Sequence, residues 1–281
     1  MATEITSHVL ELPDGTARVR QIRGPAGAPT VILLHGLAAT GRLNWSPSYS
    51  ALAEHFQVIC VDHRGHGRGV RTESFELEHC ADDVVAVADR LGVERFIAVG
   101  YSMGGPIAVL TWRRHRERVS GLVLCATSYR FTQRAPMLAA RALLPAAAEL
   151  LRLMPESFHR VLLERSLTRV RHPEYRQRVQ GELEGHDLRS IVQATAAIAT
   201  FSARDWINEV DVPTAVVVTT EDDMVPPERQ RRMATLISAA EVYEVEGDHI
   251  ACVARADLFV PQLVRACRSV SERAESLPRS A

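Results

Sequence analysis

The chain has little of what marks membrane, nucleic-acid-binding or exported proteins. No run of 18 apolar residues is free of charge, so no transmembrane helix is expected. Neither sign of charge dominates. The 33 basic and 34 acidic residues leave a formal net charge of -1, with no field to draw nucleic acid or an anionic membrane. Cysteine is sparse: Cys60, Cys80, Cys125, Cys252 and Cys267 make an odd number, and no pair has the short spacing of a zinc site. Several lie in apolar runs such as VICVD and LVLCAT. They read as buried reduced thiols, which favours a reducing, cytoplasmic compartment, and no metal is expected. The opening MATEITSHVLELPDG lacks a basic patch followed by an apolar stretch, so no secretory signal is expected. Aromatic residues are only 5% of the chain, so a ring-lined pocket has to draw on a few side chains such as Trp45, Tyr101 and Phe131. No internal repeat is present.

What the chain does have is an alternation of two patterns. SHVLELPDG and ARVRQIRG are short strands joined by the turn signal Pro13-Asp14-Gly15. The apolar runs TVILLHG, FQVICVD, FIAVGYS, SGLVLCATS, PTAVVVTT and AEVYEVEGDH follow, each reading as a strand buried on both faces. Helical patterns lie between them: EHCADDVVAVADRLG, MGGPIAVLTWRRHRERV with its basic last turn, and PPERQRRMATLISAA with its leading prolines. Strand alternating with helix predicts an α/β fold, with a mostly parallel central sheet and helices on both faces. From about Tyr129 to Val212 the rhythm stops. That interval holds only helix-forming segments: APMLAARALLPAAAELLRLMP, ESFHRVLLERSL, PEYRQRVQGELEG and HDLRSIVQATAAIATFSARDW. The expected organisation is a core of residues 1–128 and 212–281 with a helical insertion at 129–211. The tail SERAESLPRSA is polar and is expected to fray.

One serine stands out. VGYSMGG sets Ser102 where a strand turns into a helix. A serine hydroxyl attacks only with a base beside it and a group to orient that base. It must also project from a turn so sharp that side chains at the flanking positions would collide, which explains Gly100 and Gly104. Partners are sought at the ends of later strands. PTAVVVTT leads into Glu221, Asp222 and Asp223, all candidates for the acid. VYEVEGDH ends in His249, the one histidine of eleven that follows the final strand. His35, His63 and His66 sit in turns and read as structural. The glycine-rich DHRGHGRG lacks the Gly-Lys-Ser/Thr ending of a phosphate loop and reads as a tight turn.

With its HG after an early strand, DHRGHG, GYSMGG, and a late D-x-x-V-P followed by GDH, the chain resembles the α/β-hydrolase superfamily over nearly its whole length. The resemblance places the acid four residues before Pro226, at Asp222, with Asp223 the competitor. Members that carry the acid before the insertion have it where this chain reads CATSYR, which contains none. The resemblance also implies an oxyanion hole formed by the backbone N–H groups of Leu37 and Met103, and makes the insertion a cap over the site. The expected function is a serine hydrolase that cleaves a carboxylic ester through Ser102, His249 and Asp222, without a cofactor. Its partner would be a small-molecule ester or acyl substrate of apolar character. The Ala- and Leu-rich MLAARALLPAAAELLRLM raises contact with a lipid surface as a sharper reading of the cap. The same triad serves C–C bond hydrolases and acyl thioesterases in this superfamily, so both remain alternatives. A receptor or scaffold that retains the fold is the non-enzymatic one. Members with an aspartate nucleophile are disfavoured by Ser102.

Overall fold

The structure is a computed structural model that describes residues 4–131, 143–144, 146–151 and 187–276. Its strands are β1 (Ile5–Leu12), β2 (Gly15–Ile22), β3 (Thr30–Leu34), β4 (Gln57–Val61), β5 (Phe96–Tyr101), β6 (Val119–Cys125), β7 (Thr214–Thr219) and β8 (Glu241–Val245). They form one sheet in the order β1-β2-β4-β3-β5-β6-β7-β8. β1 and β2 pair antiparallel, as do β2 and β4; every pairing from β4 onward is parallel. The helices are α1 (Gly41–Trp45), α2 (Tyr49–Ala53), α3 (Leu77–Arg90), α4 (Gly104–Arg114), α5 (Leu188–Thr200), α6 (Pro227–Leu236), α7 (Ala251–Ala254) and α8 (Ala256–Ser276).

The central strands are apolar throughout because each serves two cores at once. From β5, Phe96 and Ala98 enter the layer shared with α3, α4 and α6, while Ile97, Val99 and Tyr101 enter the layer shared with α1, α2, α7 and α8. The predicted α/β sheet with helices on both faces is what the chain forms. β8 departs from expectation: AEVYEVEGDH does not bury both faces but alternates, with Val242 45% exposed, because it closes one edge of the sheet. The polar tail departs as well. SERAES continues α8 to Ser276 instead of fraying, and the last five residues lie outside the described ones. Phe259, Leu263, Ala266, Cys267 and Val270 give α8 a buried stripe at helical spacing. Arg273 then pins its final turns by donating to the Thr214 and Ala239 carbonyls, each at 2.9 Å.

The segment between β6 and β7 is closed where its two ends meet. Arg130 bridges Ser202, and Ala203 N–H donates to Tyr129 O at 2.8 Å. Within it, α5 rests on the loop after β4, where Asp187 N–H donates to Gly65 O. Residues 146–151 are helical, and Glu149 accepts from Arg189 of α5 at 2.8 Å. ESFHRVLLERSL, PEYRQRVQGELEG and most of the Ala- and Leu-rich segment lie outside the described residues.

Strand order also creates a crevice. β3 and β5 are neighbours, but the chain leaves β3 towards β4 on one side and β5 towards β6 on the other. Loops at the carboxyl ends of these two strands therefore part, and an open α/β sheet receives its ligand at such a point.

Candidate active site

Ser102 lies in that crevice, immediately after β5. Its φ is +51°, a left-handed conformation rarely taken by a residue with a side chain. Surrounding contacts fix it: Ser102 N–H donates to Cys125 O at 2.9 Å, and its carbonyl accepts from Gly105 N–H at 2.9 Å and from the Thr127 hydroxyl at 2.7 Å. A Cβ on Gly100 would run into the Gly104 carbonyl, and one on Gly104 would run into the Leu34 carbonyl. Both glycines are required by this close approach of strand and helix.

His249 follows β8, and its side chain is 11% exposed. Its Nε2 lies 2.8 Å from Ser102 Oγ, and its Nδ1 lies 2.7 Å from Asp222 Oδ2. A carboxylate can only accept, so Nδ1 carries the proton and Nε2 presents a lone pair to the Ser102 hydroxyl. Asp222 is closed to solvent, and Oδ1 accepts from Met224 N–H at 2.9 Å and Val225 N–H at 2.8 Å. Asp223 and Glu221 are exposed. Of the three acids offered by the sequence, only Asp222 meets the histidine.

The amides proposed for an oxyanion sit on either side of the crevice. Met103 precedes α4, and neither its N–H nor that of Leu37 donates to a partner among the described residues. The loop carrying Leu37 is anchored twice: Gly36 N–H donates to Asn44 Oδ1 at 2.8 Å, and His35 Nδ1 bonds Gly36 O at 2.7 Å. His35 Nε2 accepts from His63 N–H at 2.9 Å. His35 and His63 are thus structural, as read from the sequence.

The aromatic residues expected to line a pocket do not all do so. Trp45 is 0% and Tyr101 2% exposed, and both pack with Phe259 beneath the site. Tyr101 turns its hydroxyl to the His249 carbonyl at 2.8 Å, which supports the histidine from below. The period of two along β5 sends it into the α1/α8 layer and away from the crevice. Phe131 is half-buried, and its carbonyl accepts from Arg229 at 2.6 Å. A cleft of about 390 Å³, lined by Phe75, Leu110, Phe201 and Trp206 among others, lies between α3, α4 and the end of α5 and touches none of Ser102, Asp222 or His249. Asn44, Thr219 and Gln230 also support the site, and the sequence reading did not single them out. Asn44 and Gln230 had no motif to mark them; a buried amide within a helix next to a strand end was the available signal.

A serine raised at the crevice, with an imidazole and a carboxylate in line behind it, sits at the carboxyl ends of a mostly parallel sheet, and that fold defines the class. Residues 29–256 match the family model described as the alpha/beta hydrolase fold. The chain belongs to that family. Among its relatives, a proposed carbamate hydrolase, RutD, of Rhizobium rhizogenes is 30% identical over 257 residues, covering 87% of this chain and 95% of that protein. Solved structures share the fold, two among them as follows. An esterase from Exiguobacterium antarcticum has a TM-score of 0.78 at 22% identity, covering 94% of this chain and 100% of that one. The enol-lactonase from Burkholderia xenovorans has a TM-score of 0.73 at 23% identity, covering 92% and 98%.

Proposed function

We propose that the protein is a carboxylesterase-like hydrolase (EC 3.1) acting on a small-molecule ester through an acyl-enzyme. The observation that carries this reading is the line Ser102 Oγ to His249 Nε2 to Asp222, at 2.8 and 2.7 Å. His249 takes the Ser102 proton as Oγ bonds to the carbonyl carbon. Asp222 orients the imidazole and offsets its charge. Leu37 and Met103 N–H groups bind the oxyanion. Removing one such donor typically costs about 3 kcal/mol in the transition state. The tetrahedral species collapses, the C–O bond breaks, and His249 returns its proton to the leaving alcohol. Water then attacks the acyl-enzyme with His249 as base, releasing the acid and free Ser102. No cofactor enters these steps. Residues 129–211 form the cap, and Phe131 is its candidate contact with substrate. An apolar acyl group suits the Ala- and Leu-rich cap sequence, and contact with a lipid surface through it belongs to the same reading.

A second reading is favoured by the Rhizobium relative, whose name specifies a carbamate. The same line of groups serves a carbamate ester: Ser102 Oγ bonds to the carbonyl carbon, the C–O bond to the alcohol breaks as His249 protonates it, and water then releases carbamic acid from the carbamoyl-enzyme. Purified protein assayed on short p-nitrophenyl esters, an aryl carbamate, a thioester and an enol-lactone separates these substrates. Ser102→Ala is expected to lower kcat by at least about 10⁴-fold and to abolish labelling by a fluorophosphonate. Turnover surviving in that variant sinks the reading in favour of a different catalytic group, and a native protein inert to every substrate and to the label sinks it in favour of a receptor or scaffold.

A further inference from the structure

Asp222 Oδ2 receives more than the histidine. The Thr219 hydroxyl lies 2.8 Å from it and Gln230 Nε2 3.3 Å from it. Gln230 stands on α6, 0% exposed, and spends its whole carboxamide here. Its Oε1 accepts from Thr219 N–H at 3.1 Å, which fixes which end of the amide is the donor. Its Nε2 reaches the Val225 carbonyl at 2.7 Å and Thr219 Oγ1 at 2.9 Å. Nε2 has two hydrogens. One serves Val225, and the other is shared between Thr219 Oγ1 and the carboxylate.

Direction follows from this count. Because Gln230 donates into Thr219 Oγ1, the single hydroxyl proton of Thr219 is turned away from the amide and onto Asp222 Oδ2. The result is a one-way chain, amide N–H to hydroxyl to carboxylate, in a dry setting where each bond polarises the next. Met224 and Val225 amides hold only Oδ1. Without Thr219 and Gln230, Oδ2 has no partner among the described residues but the imidazole, and the carboxyl group can pivot about its other oxygen. We infer that Gln230, acting through Thr219, is a positioning residue that locks the Asp222 carboxylate in the plane of His249. A hydrophobic residue at either position fills the volume but leaves the acid free to turn, and a glutamate at 230 cannot donate in the required sense.

The inference rests on the proposed hydrolytic role of Asp222, and its test separates the two. The variants are Thr219→Val, Gln230→Met and the conservative Thr219→Ser. The readouts are the proton resonance of the His249 Nδ1–H bonded to Asp222, and kinetics on a short p-nitrophenyl ester. The native protein is expected to show a sharp downfield resonance. In Thr219→Val and Gln230→Met it should broaden into exchange with water, and kcat should fall about tenfold with KM changed by less than about twofold. Thr219→Ser should restore both. Resonance and kcat native-like in both variants overturn the inference. So does a loss seen only as a lowered thermal midpoint, with kcat per fluorophosphonate-titrated site unchanged. If Gln230→Met does not fold, Thr219→Val decides alone. A native protein without esterase turnover overturns the proposed function, and the resonance still judges the lock.

Discussion

His63 shows what the interior demands of a single titratable side chain. It is 2% exposed, with its ring 4.3 Å from that of His35. Burial, with the nearby His66 adding to it, lowers its pKa from 6.5 to about 3. Between those values the unfolded chain binds a proton that the folded protein refuses. Stability is therefore full above pH 6.5 and falls as pH drops through this window. Its slope is about 1.4 kcal/mol per pH unit for one such group. Urea unfolding at pH 6.5 and 4.5 should show His63→Leu losing about 2–3 kcal/mol less than the native protein over that interval. Equal losses would mean that His63 is not the group responsible. At this scale the sequence was uneven as a guide. The meeting of Ser102, Asp222 and His249 was legible because each follows a strand end at a recognisable spacing. Trp45 and Tyr101 were misplaced because composition singles out rings without saying which face of a strand or helix they occupy.

Elements are tied together by the turn after β4. Arg64 lies there, buried, and holds Asp83 of α3 in two bonds of 2.9 and 2.8 Å while reaching Asp14 of the β1–β2 turn at 3.0 Å. Burial pushes the Asp83 carboxyl up, and Arg64 opposes it. Arg64→Met would leave that carboxylate without its partner and should cost about 3–5 kcal/mol of stability. The double variant Arg64→Met, Asp83→Leu should recover much of it. A single variant within 1 kcal/mol of native in urea unfolding would refute this account. The glycine-rich DHRGHGRG was legible as a turn, but its clamp on α3 was not, because Asp83 sits on a helix face that shows only a polar residue in an apolar pattern. Gln230 was hidden in the same way. It is eight residues past Asp222, and only the fold of α6 back over the strand end brings the two together. β8 read as fully buried from its Val and Tyr content, although Glu241 and Glu244, unlike anything in β5, β6 or β7, mark a strand at an edge.

For the molecule as a whole, the five cysteines report on both cores. All are buried and outside disulfides, and burial pushes the Cys60 and Cys252 thiols up to about 12. Cys80 lies in the layer of α3 and α4, and Cys60, Cys125, Cys252 and Cys267 lie in the layer of α1 and α8. A thiol reagent at pH 8 should modify none in the native protein and five in denaturant. If the two layers unfold as one unit, Cys80 should lose protection at the same urea concentration as the rest; earlier labelling of Cys80 would show that they do not. The parallel sheet and its flanking helices were legible because alternation of buried strands with amphipathic helices admits few other folds. The α8 helix was missed because its polar half outweighs a narrow apolar stripe.

Ala38, Ser102 and Ala126 all hold φ near +50°, and they follow β3, β5 and β6 in turn. Such conformations disfavour side-chain-bearing residues by about 1 kcal/mol or more apiece. Among the described residues three of the four such positions thus share one rim, Ala239 ahead of β8 being the fourth. A lineage bred only for heat resistance would relax there first, swapping in glycines, and would emerge sturdier with a slack, unreactive mouth.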